Sequence, residues 1–148
     1  MPDVRENRQA EVRIGYDGRV YKRYTGLRAR DRFENERRVL RYLEAKGCPF
    51  VPRILEENAE NLSLVTSNAG SVVEKIGQAK VAQLFAELEQ YGVRHEDPFA
   101  RNVTYNPHQG RFNLIDFEFA TILETGAGLK LEDVKPEGKA LNLDEIHD

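Results

Sequence analysis

The stretch that most restricts how this chain can fold covers residues 93–118, V-R-H-E-D-P-F-A-R-N-V-T-Y-N-P-H-Q-G-R-F-N-L-I-D-F-E. Two short apolar-rich runs, 103–105 and 112–115, flank Asn106-Pro107-His108-Gln109-Gly110, residue types that turns require. The segment predicts a hairpin. Pairing its strands brings the end carrying Asn102 beside the end carrying Asp116, so an amide oxygen and one or two carboxylates share one edge. Hard oxygen donors of this kind suit Mg²⁺ carrying phosphates. Taken singly, Asp97 before Pro98 reads as a turn residue, Asn102 as a loop cap and Asp116 as a helix N-cap. Only their joint spacing points further.

The rest of the chain supplies elements that could complete such a site. Residues 11–16 and 19–24 flank Asp17-Gly18, a strong short hairpin signal. Strand side chains repeat every two residues, so Val20, Lys22 and Tyr24 share one face. Residues 28–45 read as a helix, with Gly47 as its stop and Pro49 beyond. Phe33, Glu36, Leu40 and Leu43 form its apolar stripe, which places Glu36 against a core. A carboxylate there needs a cation, and Lys22 is the natural one. Glu34, the rival, lies off the stripe. A second hairpin is expected over 54–57 and 62–66, followed by a small polar loop at 66–71. Residues 78–91 form the clearest helix, with Val81, Leu84, Phe85, Leu88 and Tyr91 at helical spacing. After Ala120 the pattern is lost, and only Leu141, Leu143 and Ile146 suggest a short amphipathic piece in an acidic tail.

The pattern H-x-D-x4-N followed by I-D-F resembles the catalytic and metal-binding segments of the protein-kinase-like superfamily. I-D-F-E-F-A looks most similar to the choline/ethanolamine and aminoglycoside kinase branch. The segment N-E-R-R-V-L-R-Y-L, followed by C-P-F-V-P-R-I-L, resembles the regulatory helix and next strand of protein kinases. The resemblance implies an α+β fold: a small antiparallel sheet with a regulatory-type helix, then a reduced helical lobe carrying a catalytic-loop hairpin. A single kinase-like domain over 1–148 would divide into an N-lobe-like part (11–66), a reduced C-lobe-like part (71–123) and an acidic tail (124–148). It implies ATP and Mg²⁺ as cofactors. Asp97 would take the proton of the attacking hydroxyl, and His95 would support the loop. Lys22 held by Glu36 would grip the nucleotide phosphates. Asn102 and Asp116 would hold the metal, with Glu118 a third carboxylate nearby, either a ligand or a solvated neighbour. The 66–71 loop would sit where two lobes join and offer its backbone to the adenine.

The family's pattern is incomplete here. No glycine-rich loop precedes the first hairpin, whose Gly15 and Gly18 stand too near Lys22, so Arg13, Arg23 or the N-terminal arm must replace it as phosphate donors. No substrate-binding helical lobe follows Asp116. Phe99 stands where protein kinases place a phosphate-contacting lysine, and Arg101 is the nearest cation. Two readings follow: a minimal phosphotransferase acting on a protein or small-molecule hydroxyl, or a pseudokinase that binds nucleotide or scaffolds a protein partner.

Charge and composition narrow the classes. The chain has 148 residues, 40% hydrophobic and 32% charged, with net charge −3 and one cysteine, Cys48. One domain, a reducing compartment and a cytoplasmic location without a membrane span are expected. Residues 19–46 carry ten Lys/Arg against four Asp/Glu. A nucleic-acid-binding module on Arg28, Arg30, Arg32, Arg37, Arg38 and Arg41 ranks low, because the whole is acidic and lacks interleaved aromatics. A solvated charged helix is the ordinary explanation of that run.

Overall fold

An Asp-Gly turn, short alternating strands and one amphipathic helix build the first half of the chain, in a computed structural model that describes residues 4–6 and 10–129. Strands β1 (Val4–Glu6), β2 (Ala10–Ile14) and β3 (Val20–Tyr24) are followed by helix α1 (Ala29–Ala45), then β4 (Ile54–Asn58) and β5 (Ser63–Thr66). They form a five-stranded antiparallel sheet in the order β1-β2-β3-β5-β4. β1 adds an edge where the polar composition of residues 1–10 predicts none, pairing Val4 with Arg13 and Glu6 with Glu11.

Helix α1 lies on this sheet through Phe33, Val39, Leu40 and Leu43, all buried. Each contributes about 1.5–3 kcal/mol by burial. Its C-terminus is closed by Gly47 at φ 77°. The Gly47 N–H donates to Glu44 O and the Cys48 N–H to Leu43 O, both at 3.0 Å. This double closure needs a left-handed residue, which is why Gly47 stops the helix.

In the second half, β6 (Ser71–Val72) precedes α2 (Gln78–Gln90), β7 (Val93–Arg94), a 3-10 turn (Ala100–Asn102), β8 (Val103–Asn106), β9 (Arg111–Leu114), β10 (Thr121–Ile122) and β11 (Ala127–Gly128). The β8–β9 hairpin forms as expected, with Val103 opposite Leu114 and β6 on its outer side. β7, β10 and β11 make a small sheet of their own, which orders the stretch after Ala120 that lacks any sequence pattern. The architecture is α+β, with small antiparallel sheets and two helices.

One buried cluster runs from Tyr24, Phe33 and Leu43 through Phe50 and Leu64 to Leu84, Leu88, Leu114 and Phe117. The halves also share backbone bonding, for the Leu114 N–H donates to Phe50 O (2.9 Å). Among the described residues no helix is long and apolar enough to cross a membrane. The expected amphipathic piece at Leu141, Leu143 and Ile146 lies outside the described residues.

Candidate functional site: a cleft with a caged lysine

The face shared by Val20, Lys22 and Tyr24 turns toward α1, and there the lysine meets its partners. The Lys22 ammonium donates to Glu36 Oε1 (2.8 Å), pairs with Glu118 Oε2 (2.7 Å) and reaches Asp116 Oδ1 (3.4 Å). Three donors thus face three carboxylates. Glu36 is fixed independently: the Tyr24 hydroxyl donates to its Oε1, and the Phe117 N–H to its Oε2 (2.8 Å). Glu34 instead pairs with Arg37 on the helix surface. Burial pushes the Lys22 pKa down, but the three carboxylates outweigh it and hold the group well above the usual lysine value.

Asp116 follows β9 in the left-handed region, φ 69°. Aspartate tolerates that conformation better than most residues. Its side chain remains 48% exposed at the cleft floor, enclosed by protein yet open to water. Burial raises its carboxyl pKa, but Lys22 more than compensates and holds it below the ordinary range. Glu118 behaves oppositely: burial pushes its carboxyl up, opposed by Lys22 and reinforced by Asp116 and Glu36.

Sequence reading missed what fixes Glu118. Arg32, expected on a solvated helix face, is fully buried, and its guanidinium holds Glu118 Oε1 at 3.1 Å. The same guanidinium donates to Leu27 O (2.8 Å) and Thr25 O. Asn35 Nδ2 donates to Glu118 O and Ala120 O at 2.8 and 3.0 Å. The one available signal was spacing: Arg32 stands four residues before Glu36, on the same helix face. Glu118 is neither solvated nor uncommitted, since each of its oxygens faces a cation.

The loop between β7 and β8 is built around His95. Its ring lies between Phe85 and Phe117, 5.0 Å from each. Nε2–H donates to Ile115 O (2.8 Å), and Nδ1 accepts from the Asp97 N–H (3.2 Å). That pattern requires the neutral ring, and burial lowers its pKa accordingly. Both ring nitrogens of His95 are thus spent on holding the backbone of the loop, at Ile115 and Asp97. Asp97 accepts from Arg101 Nη2 at Oδ1 (2.6 Å) and from Asn102 Nδ2 at Oδ2 (2.8 Å). Asn102 O accepts from the Ile115 N–H (3.0 Å), which ties this loop to the residue before Asp116. Asn102 Oδ1 has no partner among the described residues.

These groups border a cleft of about 780 Å³ between the large sheet and the β8–β9 hairpin. Ala10, Val12, Ile14, Val20 and Leu64 give it an apolar wall, and Lys22, Arg101, Asn102 and Asp116 a polar end. Residues 67–71 line its side. Within that segment the Asn68 and Ala69 N–H groups have no partner among the described residues, while Ala69 O accepts from Thr104 (2.6 Å). Arg13 and Arg23 cannot supply phosphate donors from the strands. They alternate away from Val12 and Lys22 onto the outer face, where Arg13 stacks on Tyr21 and Arg23 meets Glu11. Gly15 serves packing there, since a Cβ would lie 2.7 Å from the Tyr21 ring.

Glu36, Asp116 and Glu118 each offer a hard oxygen, of the kind a divalent cation takes, within 4.8 Å of the others. Lys22 already occupies the centre of that carboxylate group, so Asp116, the exposed member, is the one open to an ion.

No family model matches the chain, and no curated protein sequence matches it. Among solved structures, the complex of Rv3197 with erythromycin from Mycobacterium tuberculosis is similar at TM-score 0.47 and 13% identity, over 85% of this chain and 46% of that one. The chain spans less than half the length of that structure, and a likeness this shallow carries no functional argument.

Proposed function

We propose that the protein is a minimal ATP- and Mg²⁺-dependent phosphotransferase acting on a hydroxyl acceptor. The observation that carries this reading is the meeting of Lys22 and Asp116, 94 residues apart in sequence, at 3.4 Å on the floor of a nucleotide-sized cleft. Asn102 and Asp116 would hold the magnesium ion, which supplies charge neutralisation for the polyphosphate. Lys22, fixed by Glu36, orients the phosphates from the large sheet. Asp97 takes the proton of the attacking hydroxyl as the acceptor oxygen bonds to the γ-phosphorus. The bond from that phosphorus to the bridging oxygen breaks, and ADP leaves. Arg101 holds the Asp97 carboxylate and brings a positive charge to the cleft rim. Phosphoryl transfer asks mainly for positioning and charge stabilisation, so a small scaffold suffices.

The test is ADP formation or self-phosphorylation with magnesium. Asp97→Ala and Asp116→Ala are each expected to lower the rate by about 10²–10⁴-fold. Equal rates in all three proteins would remove the catalytic assignment. One observation favours a second reading, a nucleotide-binding scaffold without turnover. Among the described residues, Lys22 and Arg101 are the only basic side chains lining the cleft. A magnesium-dependent thermal shift with ATP and no ADP formation selects that reading.

A further inference from the structure

The nucleotide reading leaves the pairing of Glu118 with Arg32 without a role, and its geometry is specific. Of the three carboxylates around Lys22, Glu36 is fixed by Tyr24 and Phe117, while Asp116 is the open one. Glu118 completes the cage from the far side, 2.7 Å from the ammonium. It cannot swing away, because its other oxygen is held by a guanidinium that is itself buried and anchored on two backbone carbonyls. The cage sets Glu36, Asp116 and Glu118 against Lys22 and Arg32, an excess of one negative charge.

Resting on the nucleotide reading, we infer that Glu118, clamped by Arg32, is a positioning residue that makes polyphosphate binding conditional on a divalent cation. The ammonium is hydrogen-bonded to Glu36 and Asp116 and ion-paired with Glu118, and the surrounding charge repels phosphate. Glu36 and Glu118 do not move. The proton facing Asp116 alone is released, when a cation takes over that carboxylate. Lys22 then turns that donor to the phosphates while Glu36 and Glu118 hold its position.

The experiment compares calorimetric binding of ATP and adenosine to the full chain, in magnesium and in EDTA. Wild type is expected to bind ATP no tighter than adenosine in EDTA, and at least about tenfold tighter in magnesium. Glu118→Gln, which removes one cage charge, is expected to raise ATP affinity in EDTA by about tenfold while leaving adenosine unchanged. Wild-type ATP binding in EDTA tenfold or more above adenosine overturns the inference. So does a natively melting Glu118→Gln protein with unaltered ATP affinity in EDTA. Should that variant fail to fold, the wild-type comparison decides alone. No binding of either ligand under either condition overturns the nucleotide reading itself, a different result from the first two.

Discussion

At the scale of single residues, the account turns on charges that cannot be removed singly. Lys22 is 15% exposed and faces three carboxylates. Lys22→Met leaves them facing one another and is expected to cost about 3 kcal/mol or more in urea denaturation, the cost of breaking a buried pair. A loss below about 1 kcal/mol would show that the cage relaxes freely. His95 sets a pH dependence. Its folded pKa lies below the unfolded 6.5, so the unfolded chain binds more protons there. Stability should fall as pH drops from 6.5 through the folded value. Glu118, with its raised pKa, works the opposite way above 4.5, so the His95 part is read as the difference between wild type and His95→Gln. The variant should show the flatter profile, and parallel profiles would contradict the assignment. Lys22, Glu36, Asp97, Asn102 and Asp116 could be named from sequence because each sits in a local pattern. Arg32 could not, because its partner Glu118 is 86 residues away and meets it only in the folded chain.

At the scale of elements, helical periodicity carried the two helices, and turn residues between short apolar runs carried the three principal hairpins. Helix α1 begins within one residue of expectation and ends at its Gly47 closure. Strands of two residues, β6, β7, β10 and β11, are too short to show any alternation, and β1 hides in a charged segment. The 66–71 segment reads in sequence as a small polar loop, and the structure gives one of its members a strict requirement. Gly70 has φ 101°, and a Cβ there would lie 2.1 Å from Tyr105 O. Gly70→Ala must therefore separate the cleft wall from β8. It is expected to cost about 2–4 kcal/mol, through left-handed strain and overpacking together. A chemical-denaturation midpoint unchanged by this substitution would mean that β6 and β8 part easily.

At the scale of the whole molecule, the two halves share one core, with Phe117 and Leu114 buried in the same cluster as Phe33 and Leu43. A single cooperative transition is expected, coincident by far-ultraviolet dichroism and by tyrosine emission, which reports without interference because the chain has no tryptophan. Two separated transitions would mean that the cleft lies between independently stable parts. The account as a whole is tested most directly by a crystal structure grown with a non-hydrolysable ATP analogue and magnesium. It predicts the polyphosphate in the 780 Å³ cleft, an oxygen of it within hydrogen-bonding reach of Lys22, and the ion on Asp116 and Asn102. A cleft left empty at saturating analogue, or an ion bound with Asp116 still turned to Lys22, would contradict it.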